Sequence, residues 1–391
     1  MIGFAGAGMG GRGAAALLAG DGHDVVVFDQ FEAPRPVGSG LVIQPVGLEV
    51  LDACGAGVAV RARGAPIARM YGDEATSGRV TLNVRYGATE ARQGLGIHRA
   101  ALFGALYDAA LAAGAEIVPS SPVEGRDGPV LHVAGRGEGP FDLIVDALGA
   151  GSVLSPLRAR ALPYGAVWAT VPWPAGAPFP EDRLSQRYRS ANRMLGVLPV
   201  GTMRDAPEVR LAAIFYSLPV DRIDAHFARD FAEWRAEACG LWPEFGAFLS
   251  EGLGHSDFTP ARYTHGALRR PYGDGVVHIG DAAHRASPQL GQGANMALLD
   301  ARALQLALRR FRGEEALRIY SGARAYHMRL YQLFSAVFTP QYQSDSQVLP
   351  VVRDRVLAPM QGMWPVPAIL TRLVCGDLVP PMPALTPRDE G

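Results

Sequence analysis

Residues 2–29 of this 391-residue chain read IGFAGAGMGGRGAAALLAGDGHDVVVFD. The apolar, glycine-rich, Ala/Leu-rich and β-branched runs of this stretch predict a strand, a turn, a helix and a second strand, at Ile2–Phe4, Gly6–Gly11, Ala14–Ala19 and Val25–Phe28. A βαβ unit closed within about thirty residues indicates a Rossmann-like α/β domain at the start of the chain.

The glycines of the predicted turn follow the pattern G-x-G-x-x-G. Gly6 allows the tight turn, Gly8 lets a pyrophosphate approach the backbone, and Gly11 lets the helix pack on the strand. The helix N-terminus then offers N–H groups and partial positive charge to the phosphates. Asp29 can accept from a ribose hydroxyl pair and argues against a 2′-phosphate at that position. We therefore predict FAD or NAD in contact with Gly6, Gly8, Met9, Gly10, Gly11, Asp29 and Gln30.

A second motif runs from Val277 to Asn295. A short predicted strand leads into GDAAH at 280–284, and Pro288 precedes GQGAN at 291–295 and a further helix. Asp281 can accept from polyol hydroxyls, and helix N-terminal amides can face the N1–C2=O region of a flavin, which gathers negative charge on reduction. A nicotinamide enzyme does not need such a site, so the motif favours FAD. The predicted contacts are Gly280, Asp281, Pro288, Gly291, Gly293, Ala294 and Asn295.

The composition excludes several kinds of protein. All 37 basic residues are Arg, so Schiff-base enzymes and phosphate loops that need Lys are excluded. The net charge of −1 gives no electrostatic footprint for nucleic acid. Three distant cysteines, at 54, 239 and 375, form neither a metal-binding spacing nor a disulfide framework. Because the fold signal starts at Ile2 and leaves no room for a signal peptide, we expect a cytoplasmic protein.

The rest of the chain predicts a discontinuous organisation. Alternating apolar positions at 70–86 and short β-rich runs with Pro-rich connections at 164–262 indicate an inserted, mostly antiparallel sheet. A helix is predicted at Phe227–Cys239, and strands at Val130–Val133 and Leu143–Val145 are predicted to return to the first layer. The predicted domains are a nucleotide-binding domain at 1–68, 94–162 and 263–335, a sheet domain for the substrate at 69–93 and 163–262, and a C-terminal helical cover at 336–391.

Together the glycine fingerprint, the Gly94–Leu102 segment with His98-Arg99, and the Gly-Asp motif with its GQGAN continuation resemble the flavoprotein monooxygenases of the para-hydroxybenzoate hydroxylase-like class. The resemblance covers most of the chain. It implies an α/β, Rossmann-like FAD-binding domain with an inserted, mostly antiparallel β-sheet substrate domain and a helical C-terminus. It also implies that Asp281 holds the ribityl chain, Arg99 reaches the ribityl and phosphate portion, Pro288 lies beside the flavin ring, and Gly291–Asn295 bind its pyrimidine edge.

The same resemblance implies the reaction. NAD(P)H reduces FAD, reduced flavin forms a C4a-hydroperoxide with O₂, and an aromatic or otherwise electron-rich, rather hydrophobic small molecule is hydroxylated or epoxidised. We predict Pro288, His98 and Tyr216 as catalytic residues. Trp168, Tyr188 and Arg187, the last as an anion anchor, are further candidates on the substrate side.

One region departs from the family pattern. The family carries an Asp-Gly motif before the substrate domain, which serves both flavin and NAD(P)H binding. Here Leu148 stands in place of its acid, Gly151 in place of its Arg, and Asp146 in place of a Gly. The choice between NADH and NADPH therefore stays open, and Asp146 is a candidate for partial compensation.

Other functions remain alternatives. A flavin-dependent dehydrogenase or reductase of a lipid or isoprenoid-type substrate needs no oxygen-transfer pocket, and an FAD-binding escort protein needs no turnover. A halogenase is excluded by the absence of Lys and of a Trp-x-Trp-x-Ile-Pro segment, and the Gly-Asp motif disfavours a NAD-only dehydrogenase.

The C-terminal region is loosely similar to the ubiquinone-biosynthesis hydroxylases through Tyr326, His327, Arg329, Tyr331 and Phe334. Residues 356–371 carry no charge but are short and contain three prolines, which argues against a spanning helix. A helical cover of the core and a hydrophobic lid or peripheral membrane patch, rimmed by arginines at 353, 355 and 372, both stay open. So does the choice between monomer and homodimer.

Overall fold

The computed structural model describes residues 1–32, 38–87, 89 and 92–385. In chain order, the elements up to residue 146 are β1 (Ile2–Ala5), α1 (Met9–Gly20), β2 (Val25–Phe28), β3 (Gly40–Ile43), α2 (Pro45–Ala53), α3 (Gly57–Arg61), β4 (Ala65–Ile67), β5 (Arg69–Glu74), β6 (Val80–Arg85), β7 (Gly94–His98), α4 (Arg99–Ala112), β8 (Glu116–Val118), β9 (Val123–Asp127), β10 (Val130–Val133), β11 (Arg136–Glu138) and β12 (Leu143–Asp146).

The second part of the chain adds the long strands and the C-terminal helices. These elements are β13 (Arg160–Pro172), β14 (Arg183–Arg189), β15 (Arg193–Gly201), β16 (Leu211–Pro219), α5 (Ile223–Ala228), α6 (Phe231–Leu241), β17 (Thr259–Ala267), β18 (Tyr272–Gly273), β19 (Val276–His278), β20 (His284–Arg285), α7 (Gly293–Arg310), α8 (Gly313–Tyr342), α9 (Leu349–Val352), α10 (Ala358–Met360) and α11 (Val366–Cys375).

The nucleotide layer is a six-stranded sheet in the order β18-β19-β12-β1-β2-β8. Its strands are parallel except for β18, and helices α1 and α7 pack against each other over it, with α4 beside α1. A parallel sheet covered by helices needs apolar side chains on both of its faces, which explains the unbroken run Val25–Phe28. The predicted fold class, a Rossmann-like layer with an inserted sheet, is confirmed.

The prediction that Val130–Val133 joins this layer is wrong. This segment is β10, the central strand of a separate three-stranded antiparallel sheet, β11-β10-β9. Leu131 and Val133 are buried while His132 is exposed, so only one face of the strand is covered. In a four-residue run, this alternation is too short to distinguish from a strand buried on both faces.

The large inserted sheet has eight strands in the order β20-β17-β13-β16-β15-β14-β5-β6, and β14 pairs with β5 in parallel. Its two faces bury different clusters. The outer cluster packs beneath α5 and α6 and includes Val167, Leu195, Ile214, Tyr216, Trp234 and Phe258. The inner cluster faces β3 and α11 and includes Met70, Tyr86, Tyr188, Met194, Val200, Phe215 and Val374.

Several observed helices and strands begin or end at other residues than predicted. The helix predicted at Phe227–Cys239 is divided into α5 and α6, because Asp230 caps α6 by accepting from the Ala232 N–H at 2.8 Å. The strand β17 crosses the predicted boundary at 262/263, and α8 crosses the one at 335/336. The division into domains otherwise stays a prediction. Within the described ranges, every helix is too short or too polar to cross a membrane.

Candidate active site

The turn between β1 and α1 closes against the carboxyl end of β12. Gly6 has a φ of +94°, and a Cβ at this position would lie 2.8 Å from the carbonyl oxygen of Ala147, so the position requires glycine. Gly8 precedes α1, and a Cβ there would meet only that same oxygen among the described residues, at 3.6 Å. Space is therefore open before the first turn of α1, where free amides suit a phosphate group. That turn begins with Met9, Gly10 and Gly11 and carries no acidic side chain.

Asp29 directly follows β2 and binds the neighbouring backbone through both carboxylate oxygens. Its Oδ2 accepts from the Ala7 N–H at 2.8 Å, and its Oδ1 accepts from the Phe31 N–H at 2.9 Å. Gln30, the next residue, is exposed. Each carboxylate oxygen keeps a further lone pair. Asp29 thus fixes the phosphate-binding turn to the end of β2 and can still accept from ribose hydroxyls.

The buried carboxylate of Asp300 supports the Gly280-Asp281 turn, a role that the sequence did not predict. Gly280 has a φ of +56°, and its N–H donates to Asp300 Oδ2 at 3.0 Å. Asp300 also contacts His284 Nε2 at 2.6 Å and accepts from Arg324 Nε at 2.8 Å. Burial would raise the pKa of Asp300, but His284 and Arg324 lower it to about 2. The turn therefore rests on an ionised carboxylate.

Asp281, after β19, and Arg99, at the start of α4, lie near enough for their charges to interact, and we call the space beside them the cleft. The Asp281 side chain reaches water, but much of its surroundings is protein. This partial burial raises the pKa of Asp281, against the opposing effect of His284, Arg285 and Arg99. The guanidinium of Arg99 makes no hydrogen bond or ion pair with any residue that the structure describes, and burial lowers its pKa. An unpaired, half-buried cation is costly unless a ligand supplies the anion. The geometry brings these two predicted residues together.

Tyr263, another residue that sequence reasoning missed, lies beside Arg99. Its hydroxyl accepts from Trp168 Nε1–H at 3.0 Å, and burial raises its pKa to about 12. An indole N–H can only donate, so the hydroxyl proton of Tyr263 remains free to donate, and no described residue accepts it. The hydroxyl stays protonated at neutral pH and offers one hydrogen bond in the neighbourhood of Arg99.

The Pro288–Asn295 loop is ordered by Asn295 and Gln44. Asn295 Nδ2 donates to the Gly291 carbonyl at 3.0 Å, and its Oδ1 accepts from the Gln44 N–H at 2.8 Å. The Gln44 side chain accepts from Tyr86 Oη at 2.6 Å, but its Nε2 is buried without a partner in the described chain. A Cβ on Gly291, whose φ is +62°, would lie 3.3 Å from that Nε2. An orphaned donor beside this loop fits the polar edge of a flavin.

Helix α7 begins at Gly293 and Ala294 beside this loop. No described atom lies within 4 Å of where a Gly293 Cβ would be, and the first turn carries no acid. Gln292 donates through Nε2 to the carbonyl of Val374 at 3.2 Å, which ties the loop to the end of α11. Pro288 is exposed at the start of the loop. The helix N-terminus is thus open, and α11 covers one side of it.

The structure contradicts the catalytic prediction for Tyr216. Its side chain belongs to the outer cluster, where the hydroxyl donates to Glu237 Oε1 at 2.6 Å beneath α6. The strand period of two explains this orientation, because the neighbouring Phe215 points to the inner cluster instead. His98 has a structural task, since its Nδ1 accepts from the Ala100 N–H at 3.3 Å and caps α4. Burial lowers the pKa of His98.

The other substrate-side candidates divide between the two faces. Arg187 cannot serve as a free anion anchor, because its Nε lies 2.7 Å from Asp73 Oδ1 and its guanidinium packs over the Trp242 ring. Tyr188 belongs to the inner cluster and donates to Gln186 Oε1 at 3.0 Å. Trp168 packs against the same cluster, so Trp168 and Tyr188 remain on the side that faces α11.

Asp146 does not face the cleft. Its carboxylate is fully buried and binds the Leu148 N–H at 3.1 Å, Ser152 Oγ at 2.7 Å and His278 Nδ1 at 2.7 Å. These bonds join the ends of β12 and β19 and shape the loop that contains Gly151. Asp146 therefore shapes the loop of the altered motif through these hydrogen bonds and does not contact an electron donor directly.

Comparisons with known proteins match the chain over most of its length. A family model described as an FAD binding domain matches residues 255–329. The chain is 32% identical over 345 residues to 3-amino-4-hydroxybenzoate 2-monooxygenase from Streptomyces cremeus, covering 83% of this chain and 82% of that protein.

Two solved structures share the fold. A variant of HpxO from Klebsiella pneumoniae in complex with FAD superposes with a TM-score of 0.79 at 20% identity, covering 97% of this chain and 99% of that one. PqsL from P. aeruginosa in complex with 2-aminobenzoylacetate gives a TM-score of 0.77 at 22% identity, covering 90% and 99%. At these identities the structures establish the architecture alone.

Proposed function

The chain belongs to the FAD-dependent monooxygenases of the para-hydroxybenzoate hydroxylase-like class, and on this premise we propose how its residues hold FAD and which substrate it takes. The enzyme oxygenates an aromatic small molecule with FAD as its cofactor. Oxygenation is favoured over the dehydrogenase alternative, because the relative at 32% identity is a monooxygenase.

FAD would be held between the first turn of α1 and the first turn of α7, beside Arg99 and Asp281. The Gly6–Gly11 turn takes the diphosphate, and Asp29 takes the adenosine ribose. Arg99 and Asp281 hold the ribityl and phosphate portion from opposite sides, and Gly291–Asn295 bind the pyrimidine edge. The observation that carries this proposal is the Arg99 guanidinium, a half-buried cation without a counterion in the described chain, opposite the Asp281 turn.

NAD(P)H is the electron donor in this proposal. The family's acid and Arg are replaced by Leu148 and Gly151, and Asp146 is consumed by internal hydrogen bonds. The donor must therefore be recognised by groups outside that motif. The open side of the cleft at Asp281 offers it access, because Asp281 and Pro288 are both exposed to solvent.

When bound, the flavin supplies two-electron transfer from the donor and activation of O₂. The chain supplies positioning and the exclusion of water. The inner cluster and α11 close one side of the site with apolar side chains, while Gln292 fixes α11 to the Pro288 loop. Tyr263 remains protonated and orients its hydroxyl by accepting from Trp168, so it can donate to a cofactor or substrate oxygen.

The substrate is a neutral aromatic compound. The cation over the Tyr188 and Tyr342 rings of this side is Arg353, which already pairs with Asp354 at 2.7 Å, and in this proposal Arg99 is taken up by FAD. Burying an unpaired carboxylate against such a surface would be costly. The apolar lining favours phenols and aminophenols over the corresponding benzoates.

The test measures oxygen and NAD(P)H consumption with purified holoenzyme and a panel of matched pairs, each a phenol or aminophenol with its carboxylated analogue. We expect stoichiometric oxygen uptake with the neutral member and a kcat/KM at least about tenfold above that of the benzoate, a difference of about 1.4 kcal/mol. Equal kcat/KM values within each pair would refute the neutral-substrate proposal. Product formation without oxygen would refute oxygenation.

A further inference from the structure

Large apolar side chains remain exposed along one short stretch near the C-terminus. Trp364 is 88% exposed and Met363 is 62% exposed. We call this stretch the C-terminal apolar face, and its members are Val348, Val351, Val352, Val356, Met360, Met363, Trp364 and Ile369. Contiguous exposed apolar surface on a soluble protein marks an interaction site.

The helix that carries most of this face directs its apolar side chains toward solvent. Helical backbone runs without interruption from α9 through a π-turn at Arg353–Leu357 into α10. Val348, Val352, Val356 and Met360 recur every four residues, so they share one side of the helix. That side faces solvent, whereas a surface helix ordinarily directs such a stripe toward the core.

The inward side of the same helix carries a buried arginine. Arg353 is 1% exposed, donates to the Gln341 carbonyl at 2.8 Å, and pairs with Asp354 at 2.7 Å. Its guanidinium also lies 5.2 Å from the centres of the Tyr188 and Tyr342 rings. The expectation that Arg353 lies at the rim of an apolar patch is therefore wrong. Because Arg353 attaches the helix to the protein, the outward valines are not needed for that attachment.

The low charge of the C-terminal apolar face indicates what kind of partner it binds. Between residues 348 and 369 the charged side chains are Arg353, Asp354 and Arg355, and the first two neutralise each other. A membrane surface or an acidic protein would call for a row of cations around the apolar side chains. A second copy of this chain brings the same nearly neutral face, so self-association meets little electrostatic repulsion.

The size of the face also fits a second copy. Eight side chains with these exposures present on the order of 800 Å², which matches one side of a standard stable interface. A stripe along a single helix can pair with itself around a two-fold axis. We propose that the C-terminal apolar face is the interface of a two-fold homodimer, in which the α9–α10 helices of two copies pack on each other.

The dimer would also hold the cover of the active site. Gln361, within the same stretch, accepts from the Asn83 N–H at 2.6 Å and donates to the Thr81 carbonyl at 2.9 Å, so it closes the free edge of β6. Beyond it, Leu370 and Val374 of α11 pack into the inner cluster. Pairing of two copies therefore immobilises the segment between the interface and α11. The proposal is independent of the substrate and of the electron donor.

The test is sedimentation velocity of the FAD-loaded protein between about 1 and 100 μM. Wild type is expected at twice the chain mass of 41.5 kDa. Val352→Glu and Trp364→Glu should each raise the dimer dissociation constant about 30-fold or more, because each places a charge in a buried interface. Val58→Glu is the matched control, since Val58 is 84% exposed on α3 and should leave the dimer intact.

Thermal unfolding and flavin content establish that each variant folds, and Met363→Gln provides a milder variant if either charged one does not. A wild-type monomer at 100 μM, or dimers that survive all three changes in the face, would overturn the proposal. Flotation of the wild type with vesicles of phosphatidylcholine and phosphatidylglycerol, abolished by Trp364→Glu, would show a membrane surface as the partner and would equally overturn it.

Discussion

Replacing Arg99 with Met is expected to separate cofactor binding from stability. In the FAD-free protein the Arg99 guanidinium has no hydrogen bond or ion pair with a described residue, and burial lowers its pKa. Removing it therefore breaks no hydrogen bond or ion pair with a described residue, and the relief of a desolvated charge offsets the lost attraction to Asp281. The free energy of unfolding of the FAD-free protein should stay constant or rise slightly.

The affinity for FAD should fall. Hydrogen bonds to a charged group contribute about 1.5–3 kcal/mol, which corresponds to a change of about 10- to 150-fold in a dissociation constant. Because the cleft at Asp281 is open to water, screening favours the lower part of this range. We expect the dissociation constant of FAD to rise about 10- to 30-fold.

Arg324→Met is the matched control, because Arg324 donates to the buried Asp300 carboxylate at 2.8 Å. Losing one partner of a buried ion pair should lower the free energy of unfolding by about 3–5 kcal/mol. Flavin fluorescence titrations report the dissociation constant, and urea denaturation of the FAD-free protein reports stability. A large loss of stability in Arg99→Met, with FAD affinity within twofold of wild type, would show that Arg99 is structural and would refute the assignment.

Three further changes test other parts of the molecule. Gly280→Ala forces a φ of +56° on an L-residue and places a Cβ 3.1 Å from Ala297 Cβ, so the free energy of unfolding should fall by at least about 1–2 kcal/mol, measured by urea denaturation. Tyr263→Phe removes one free donor and should raise the FAD dissociation constant about fivefold; an unchanged constant in a fluorescence titration would contradict this role. Burial lowers the pKa of His226 to about 4, so the unfolded state binds more protons between pH 6.5 and 4, and stability falls as the pH is lowered through that window. Replacing His226 with Gln should flatten this decline in thermal melts, whereas the same change at the exposed His132 should not.

The local elements of the nucleotide layer could be predicted because their signals are short-range. Val25–Phe28 matches the predicted strand, and the strand predicted at Leu143–Val145 is observed one residue longer, as Leu143–Asp146. Glycine spacing also predicted the turn at Gly6, because a positive φ and a close backbone contact leave few other choices there.

The long-range contacts could not be predicted in the same way. Asp300 lies on a helix face that reads as ordinary amphipathic sequence, yet it supports the Gly280 turn through the fold. Tyr263 enters the cleft by the pairing of β17 with β13, which no local pattern encodes. The sequence does not reveal that Tyr216 points to the outer cluster, because a one-residue register difference exchanges the faces of a strand. Arg353 follows two valines and has no local signal for burial. It is buried because its guanidinium packs over the Tyr188 and Tyr342 rings, which are distant in sequence or in another element.

Asp300, which supports the Gly280 turn, also bears on the order in which parts of the protein become structured during synthesis. Through Arg324 and His327, Asp300 is joined to the carbonyl oxygens of Pro381 and Gly376. The first strand, meanwhile, pairs with β12, and β12 pairs with β19. During vectorial synthesis, the glycine turn near residue 6 must wait until residues 376 and 381 have been made before its counterpart at 280 is supported. We therefore expect cofactor capture to follow the synthesis of these residues, and a chain terminated before residue 376 to lack a competent site.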